Sequence, residues 1–172
     1  MKKVVKIGVG GPVGSGKSYA CCAEIFKRAI QQKPSPRDGI KYSRFVIVRN
    51  SYPMLKTTTL KTWLELFPEH IYGPVHHSPP ITHHIKLPSR DGAAGIDTEI
   101  LFLALDQPKD TRKLLSLEIT GAWINECREL LSKLLHSPNF GEPELKLFET
   151  IKQPSSLLGL ASTADHQTLC AE

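Results

Sequence analysis

The chain has 172 residues, of which 40% are hydrophobic and 23% charged, with a formal net charge of +5. That length suits one sizeable core and is too short for two full catalytic domains. No apolar run approaches a membrane span, and Met1-Lys2-Lys3 leads into a strand rather than a signal peptide. Cys21, Cys22, Cys127 and Cys170 make neither a zinc pattern nor a disulfide framework, and read as reduced cytosolic thiols. The charge is uneven. Residues 1–61 carry thirteen Lys/Arg against two acids, whereas residues 62–172 carry nine against fifteen. A basic half suits a polyanionic partner such as nucleic acid; a merely solvated face is the competing reading.

The first element is an apolar strand, Val4 to Val9, and the stretch after it is the most informative in the chain. Gly11-Pro12-Val13-Gly14-Ser15-Gly16-Lys17-Ser18 fits G-x-x-x-x-G-K-[ST] in full. The glycines let the backbone curl so that successive N–H groups face the phosphates of a nucleoside triphosphate, and the dipole of the following helix adds to the attraction. Lys17 supplies a point charge to the β- and γ-phosphates, and the Ser18 hydroxyl is placed to ligate Mg²⁺. Tyr19 closes the set of candidate nucleotide-binding residues. The helix that follows, Ser18 to Gln32, has a 3.6-residue stripe of Cys22, Ile25, Phe26, Ala29 and Ile30.

After the breaker-rich Lys33 to Gly39, Phe45-Val46-Ile47-Val48 reads as a strand buried on both faces, with Arg49 at its end as a candidate phosphate or DNA contact. A helix is expected over Thr58 to Phe67. Residues 70–98 are rich in Pro, His and Gly and read as an insertion or β-hairpin, with His83 to Leu87 pairing toward Thr98 to Phe102. The pairs His76-His77 and His83-His84 lack nearby Cys or paired acids, so a solvated or stacked role outweighs a metal site. Trp63 and Trp123 read as core.

Ile100 to Leu105 is a further buried strand, Pro108 to Leu117 a helix, and Ile119 to Ile124 a strand. A helix with the stripe Cys127, Leu130, Leu131, Leu134 and Leu135 comes next. Glu144 to Ile151 reads as helix, Leu157 to Ala161 as strand, and the last residues as an unanchored end. The alternation of strand and helix predicts an α/β fold with a mostly parallel central sheet. The expected division is a P-loop ATPase core over 1–136 and a separate segment over 137–172.

Hydrolysis also needs an acid near the metal and a residue to orient water. Two candidates follow apolar strands. Leu105-Asp106 offers an acid without an adjacent Glu. Ala122-Trp123-Ile124-Asn125-Glu126 places Glu126 one residue past a strand, where it can polarise a water, with Asn125 able to hydrogen-bond a Mg²⁺-bound water. The competing role for Glu126 is an acid stabilised by a helix dipole.

Taken in order, Gly11 to Ser18, Arg49-Asn-Ser-Tyr-Pro-Met-Leu-Lys56 with Thr58 to Trp63, Leu103-Ala-Leu-Asp106 and Thr120-Gly-Ala-Trp-Ile-Asn-Glu126 resemble the ATPase domain of tailed-bacteriophage terminase large subunits. The resemblance covers about residues 4–130. It implies a P-loop NTPase of the ASCE/RecA-like type, a three-layer sandwich, with ATP and Mg²⁺ as cofactors. Lys17 and Ser18 then serve phosphates and metal, Glu126 is the catalytic carboxylate, and Ser162-Thr163-Ala164 is a counterpart of the family's coupling motif. The implied partners are double-stranded viral DNA, a portal protein and a small terminase subunit. The implied assembly is a homo-oligomeric ring without membrane association, in the host cytoplasm and at the procapsid portal vertex. Two departures stand beside it: no nuclease domain follows, and the Arg/Gly-rich stretch expected after the Glu126 helix is replaced by His136-Ser-Pro-Asn-Phe-Gly141. A shortened or frame-altered gene would account for both. The alternatives are a nucleotide-binding remnant without motor activity, or another P-loop enzyme such as a small-molecule kinase or GTPase; no Asn/Thr-Lys-x-Asp motif supports the GTPase.

Overall fold

The computed structural model describes residues 7–12, 14–106, 110, 117–126 and 159–163. Its centre is a seven-stranded sheet in the order β1-β7-β6-β2-β5-β4-β3. The strands are β1 (Ile7–Gly10), β2 (Lys41–Arg49), β3 (Val75–His76), β4 (Ile81–Leu87), β5 (Ile96–Ala104), β6 (Gly121–Asn125) and β7 (Gly159–Thr163). From β1 through β5 every neighbouring pair is parallel, and β4 and β3 extend the sheet antiparallel. The described chain is a mixed α/β fold with a mostly parallel sheet.

Strand β2 shows why. Its neighbours are β5 and β6, and Phe45 to Arg49 are all buried. Side chains alternate between faces. Phe45 and Ile47 join one apolar cluster, while Val46 and Val48 join another with Leu101, Leu105, Ala122 and Ile124. An uninterrupted apolar run is what a strand covered on both sides requires.

Helix α1 (Lys17–Ile30) packs on the first face through Cys21, Cys22, Ile25 and Ala29. Beside it lies a nearly continuous helical stretch: α2 (Tyr52–Met54), a π-helical turn (Leu55–Leu60) and α3 (Lys61–Leu66). It begins six residues before the expected Thr58, with a proline in its first turn, where the missing N–H costs nothing. Its Trp63 is fully buried against Phe67 and Phe102, and Trp123 is fully buried as well. A short α4 (Glu69–Tyr72) sets Tyr72 edge-on to Phe26 and Phe67.

β4 runs antiparallel to β5, with His83 opposite Ile100 and Leu87 opposite Ile96, and the turn between them is closed by an Arg90–Ala93 bridge. Residues 70–98 are thus built into the sheet rather than inserted outside it. Of the two readings given for 70–98 the hairpin is the one seen, and the sheet also extends beyond residue 136. Gly159–Thr163 occupies the slot between β1 and β6, so the sheet is continuous only with a strand from the 137–172 segment. Of the expected helix Pro108 to Leu117, only Asp110 and Leu117 are described; the helices after Glu126 and over Glu144 to Ile151 lie outside the described residues.

Candidate functional site

The carboxyl ends of β1, β7, β6 and β2 lie side by side, and in open α/β sheets that edge is where ligands bind. After β1 the chain turns through Gly11 and Gly14 into Gly16, which caps α1 in the left-handed conformation (φ 77°, ψ 9°). That conformation is natural to glycine and strained for a residue with a Cβ. At Gly11 a Cβ would also lie 3.1 Å from Ser15 Oγ.

The Lys17 ammonium folds back over the loop, donating to Gly11 O (2.7 Å) and Pro12 O (2.6 Å). Ser18, half-buried, sits in the first turn of α1, which contains no acid to offset the positive end of the helix dipole. The loop thus collects backbone N–H groups, an ammonium and a hydroxyl with no opposing carboxylate in the turn, a set suited to a phosphorylated anion. Tyr19 is turned outward, and its hydroxyl donates to Glu65 of α3. Val13 lies outside the described residues.

Asn125 and Glu126 end β6, two strands from β1. Asp106 follows β5, four strands away. At one strand spacing of roughly 4.8 Å, those are separations of about 10 and about 19 Å from the P-loop strand. Asp106 has other work: its Oδ2 accepts the Tyr52 backbone N–H (3.0 Å) at the start of α2. Of the two acids weighed, Glu126 is the nearer to the P-loop strand.

Glu126 takes a left-handed backbone (φ 55°), a conformation that costs a non-glycine residue about 1–3 kcal/mol and is found at functional sites. Its Oε1 lies 3.6 Å from Arg49 Nη1 at the end of β2. Arg49 is buried, with 7% of its surface exposed, and its Nε has no hydrogen-bond partner among the described residues. Arg49 is therefore placed at Glu126, not spread on the surface.

Asn125 is also buried, and its Nδ2 donates to Thr59 Oγ1 at 3.0 Å. Thr59, 1% exposed, belongs to the π-helical turn. Sequence reading missed it, since one threonine among Thr57-Thr58-Thr59 has nothing to mark it. In the backbone register Ser162 pairs with both Val9 and Asn125, and Thr163 pairs with Gly10. The strand carrying Ser162 and Thr163, two of the three residues expected as a coupling motif, thus runs between the P-loop strand and the Asn125-Glu126 strand. Ala164 lies outside the described residues.

The histidines divide. His76 and His77 are exposed, and His84 pairs with Asp97. His83 is fully buried: its Nδ1 accepts Trp63 Nε1–H (2.9 Å), which leaves its Nε2–H to donate to Gly73 O (2.9 Å). Burial holds it below its ordinary pKa. Among the described residues no group of three or more His, Cys, Asp or Glu is placed to hold a metal ion.

No protein-family model matches the sequence, and no curated protein does. Among solved structures, the chain is similar to the large terminase of a thermophilic bacteriophage, with a TM-score of 0.58 at 10% identity, over 93% of this chain and 33% of that one. It is also similar to the large terminase ATPase domain of Thermus phage P74-26, with a TM-score of 0.49 at 14% identity, over 95% of this chain and 60% of that one. The chain thus spans about a third of the first protein and three-fifths of the second. What this chain shares with the first is the fold of the matched third of that protein.

Proposed function

We propose that this chain is an ATP-binding and ATP-hydrolysing motor domain of the terminase large-subunit type, with an ASCE/RecA-like sandwich, working on double-stranded DNA. The observation that carries this reading is the convergence of three parts on one sheet edge: the Gly11–Ser18 loop, Glu126 held by Arg49, and β7 between them.

In this reading Gly11 to Ser18 wrap the phosphates and Lys17 leaves its loop carbonyls for the β- and γ-oxygens. Ser18 and Asn125 are the groups for Mg²⁺, which when bound neutralises charge on those oxygens. Glu126 orients and polarises the attacking water. Arg49, beside that carboxylate, fixes where it points. The charge balance of residues 1–61 suits a DNA partner. A portal protein, a small terminase subunit and ring assembly at a procapsid in the host cytoplasm belong to the same proposal.

The test is phosphate release from ATP by the purified chain, with and without double-stranded DNA, using Lys17→Ala as the blank. Turnover that Lys17→Ala abolishes and DNA accelerates is the expected result. Turnover indifferent to DNA would remove the motor and leave an ATPase. No nucleotide binding at all would remove the reading.

A further inference from the structure

Residues 1–61 hold the chain's excess of cations, and the structure separates those already paired from those left over. Lys17, Lys27, Arg28, Lys41, Arg44 and Arg49 each meet a carboxylate or a backbone carbonyl. The side chains of Lys33, Arg37, Lys56 and Lys61 are exposed and have no hydrogen bond or ion pair among the described residues. These four fall at the two ends of β2. Lys33 and Arg37 precede it, whereas Lys56 and Lys61 follow its carboxyl end, which lies beside that of the Asn125-Glu126 strand.

Lys56 and Lys61 stand five residues apart. In a regular α-helix that spacing turns two side chains about 140° away from each other. Here Leu55–Leu60 is π-helical, and its i→i+5 bonds bring residues five apart onto adjacent turns of one face. Both lysines are exposed, together with Thr57 and Thr58, while Leu55, Thr59 and Leu60 are buried beneath them. No acid occurs between Asn50 and Leu64. Glu65, one α-helical turn beyond Lys61, accepts the Tyr19 hydroxyl and makes no ion pair with Lys61. On the inner side of the same turn Thr59 touches Asn125 at the end of β6.

We infer that the outer face of the π-helical turn, through Lys56 and Lys61, holds the phosphate backbone of double-stranded DNA. The inference rests on the DNA-coupled reading above and gives it a surface. Two ammonium groups stacked on flexible stems are mobile point charges, suited to phosphates along one strand. Between Leu55 and Lys61 there is no Arg, Asn or Gln, the side chains that grip base edges in pairs, so the contact reads backbone and not sequence. A motor must release its polymer at every step, and a contact to a few phosphates, blind to sequence, permits that.

The experiment follows the anisotropy of a short labelled duplex of mixed sequence, titrated with the full chain over a series of salt concentrations. It compares the unmodified chain with three double variants: Lys56→Gln with Lys61→Gln, Lys56→Arg with Lys61→Arg, and Lys33→Gln with Arg37→Gln. The first and third remove the same net charge from opposite ends of β2. The Lys56/Lys61 glutamine pair should weaken binding and flatten the plot of log affinity against log salt by about 1.8, or about 0.9 for each phosphate released. The arginine pair, which keeps both charges, should retain the parental slope. So should the Lys33/Arg37 pair. Labelled poly-glutamate in place of DNA should bind more weakly and be indifferent to the Lys56/Lys61 substitutions.

A parental slope in the Lys56/Lys61 glutamine pair overturns the inference. An equal flattening in the Lys33/Arg37 pair does so too, since it would mark an effect of net charge alone. Poly-glutamate that matches DNA in affinity and in its loss on Lys56→Gln with Lys61→Gln would assign the face to an acidic protein instead. The underlying reading fails by different signs on the unmodified chain: absence of ATP binding removes the motor while leaving the DNA face, and absence of DNA binding at low salt removes both.

Discussion

Arg49 Nη1 and Glu126 Oε1 lie 3.6 Å apart, at the ends of two adjacent parallel strands, with the arginine buried and the glutamate strained. The pair is built by register. β2 and β6 align Val48 with Ile124, so the residues that follow emerge together at the sheet edge. Substituting Glu126→Gln preserves side-chain size and removes the carboxylate. Nucleotide affinity should stay close to that of the parent, while turnover falls by about 10²–10⁴, the usual contribution of a positioned general base. Steady-state phosphate release beside equilibrium binding checks it; hydrolysis at the parental rate would remove Glu126 from the water-orienting role.

The strained backbone at Glu126 makes a second, opposite forecast. Glycine adopts a φ of 55° without a Cβ penalty, whereas it loses more chain entropy on folding. The net effect of Glu126→Gly should be a gain of about 1 kcal/mol in folding free energy. Urea denaturation measures it. A loss of stability would mean that the Arg49 contact is worth more than the strain.

His83 gives the fold a pH dependence with a definite sign. It is buried and neutral, accepting from Trp63 and donating to Gly73, and its pKa is held below the ordinary 6.5 by desolvation. The unfolded chain therefore takes up a proton here at a higher pH than the folded chain does. The His83 contribution is complete above about pH 6.5 and is lost as pH falls below that value toward the lowered folded pKa. The urea midpoint should drop between about pH 7.5 and about pH 5.5, and His83→Gln, whose amide retains a donor and an acceptor, should flatten the drop. An unchanged slope in His83→Gln would assign the effect to other groups.

Cys21 and Cys22 are buried on α1, and desolvation pushes their thiols up to about 11 and about 12. Only the thiolate reacts readily. Iodoacetamide near neutral pH should leave the peptide containing both residues unlabelled in the native protein and label it in urea, as peptide mass mapping would show. Native labelling would contradict the packing of α1 on the sheet.

Local chemistry made much of this legible before the fold was in view. The P-loop residues define their own turn, the α1 stripe names the face it buries, and four consecutive apolar residues in β2 state that both faces are covered. The partners of His83 to Leu87 were readable because alternation and a turn signal specify a hairpin. Longer-range relations were hidden. Nothing local in Gly159–Thr163 says that it lies between β1 and β6, since strand order depends on crossovers rather than composition. His83 and His84 look alike in sequence, yet alternation turns one into the core and the other to Asp97. Thr59 meets Asn125 only because a π-helical turn and a strand end come together.

The place of β7 also bears on the order in which the protein is made. Among the described residues β1 has no sheet partner other than β7, roughly 150 positions later in the chain. During synthesis the Gly11–Ser18 loop precedes β7 by roughly 150 positions, so its strand waits for that later segment before the sheet can include it. β2, β5 and β4 form a more local unit that can pair earlier, and contacts so distant in sequence are slow to close. A chain interrupted ahead of Gly159 would thus carry every residue of the Gly11–Ser18 loop and lack the strand that joins it to Glu126.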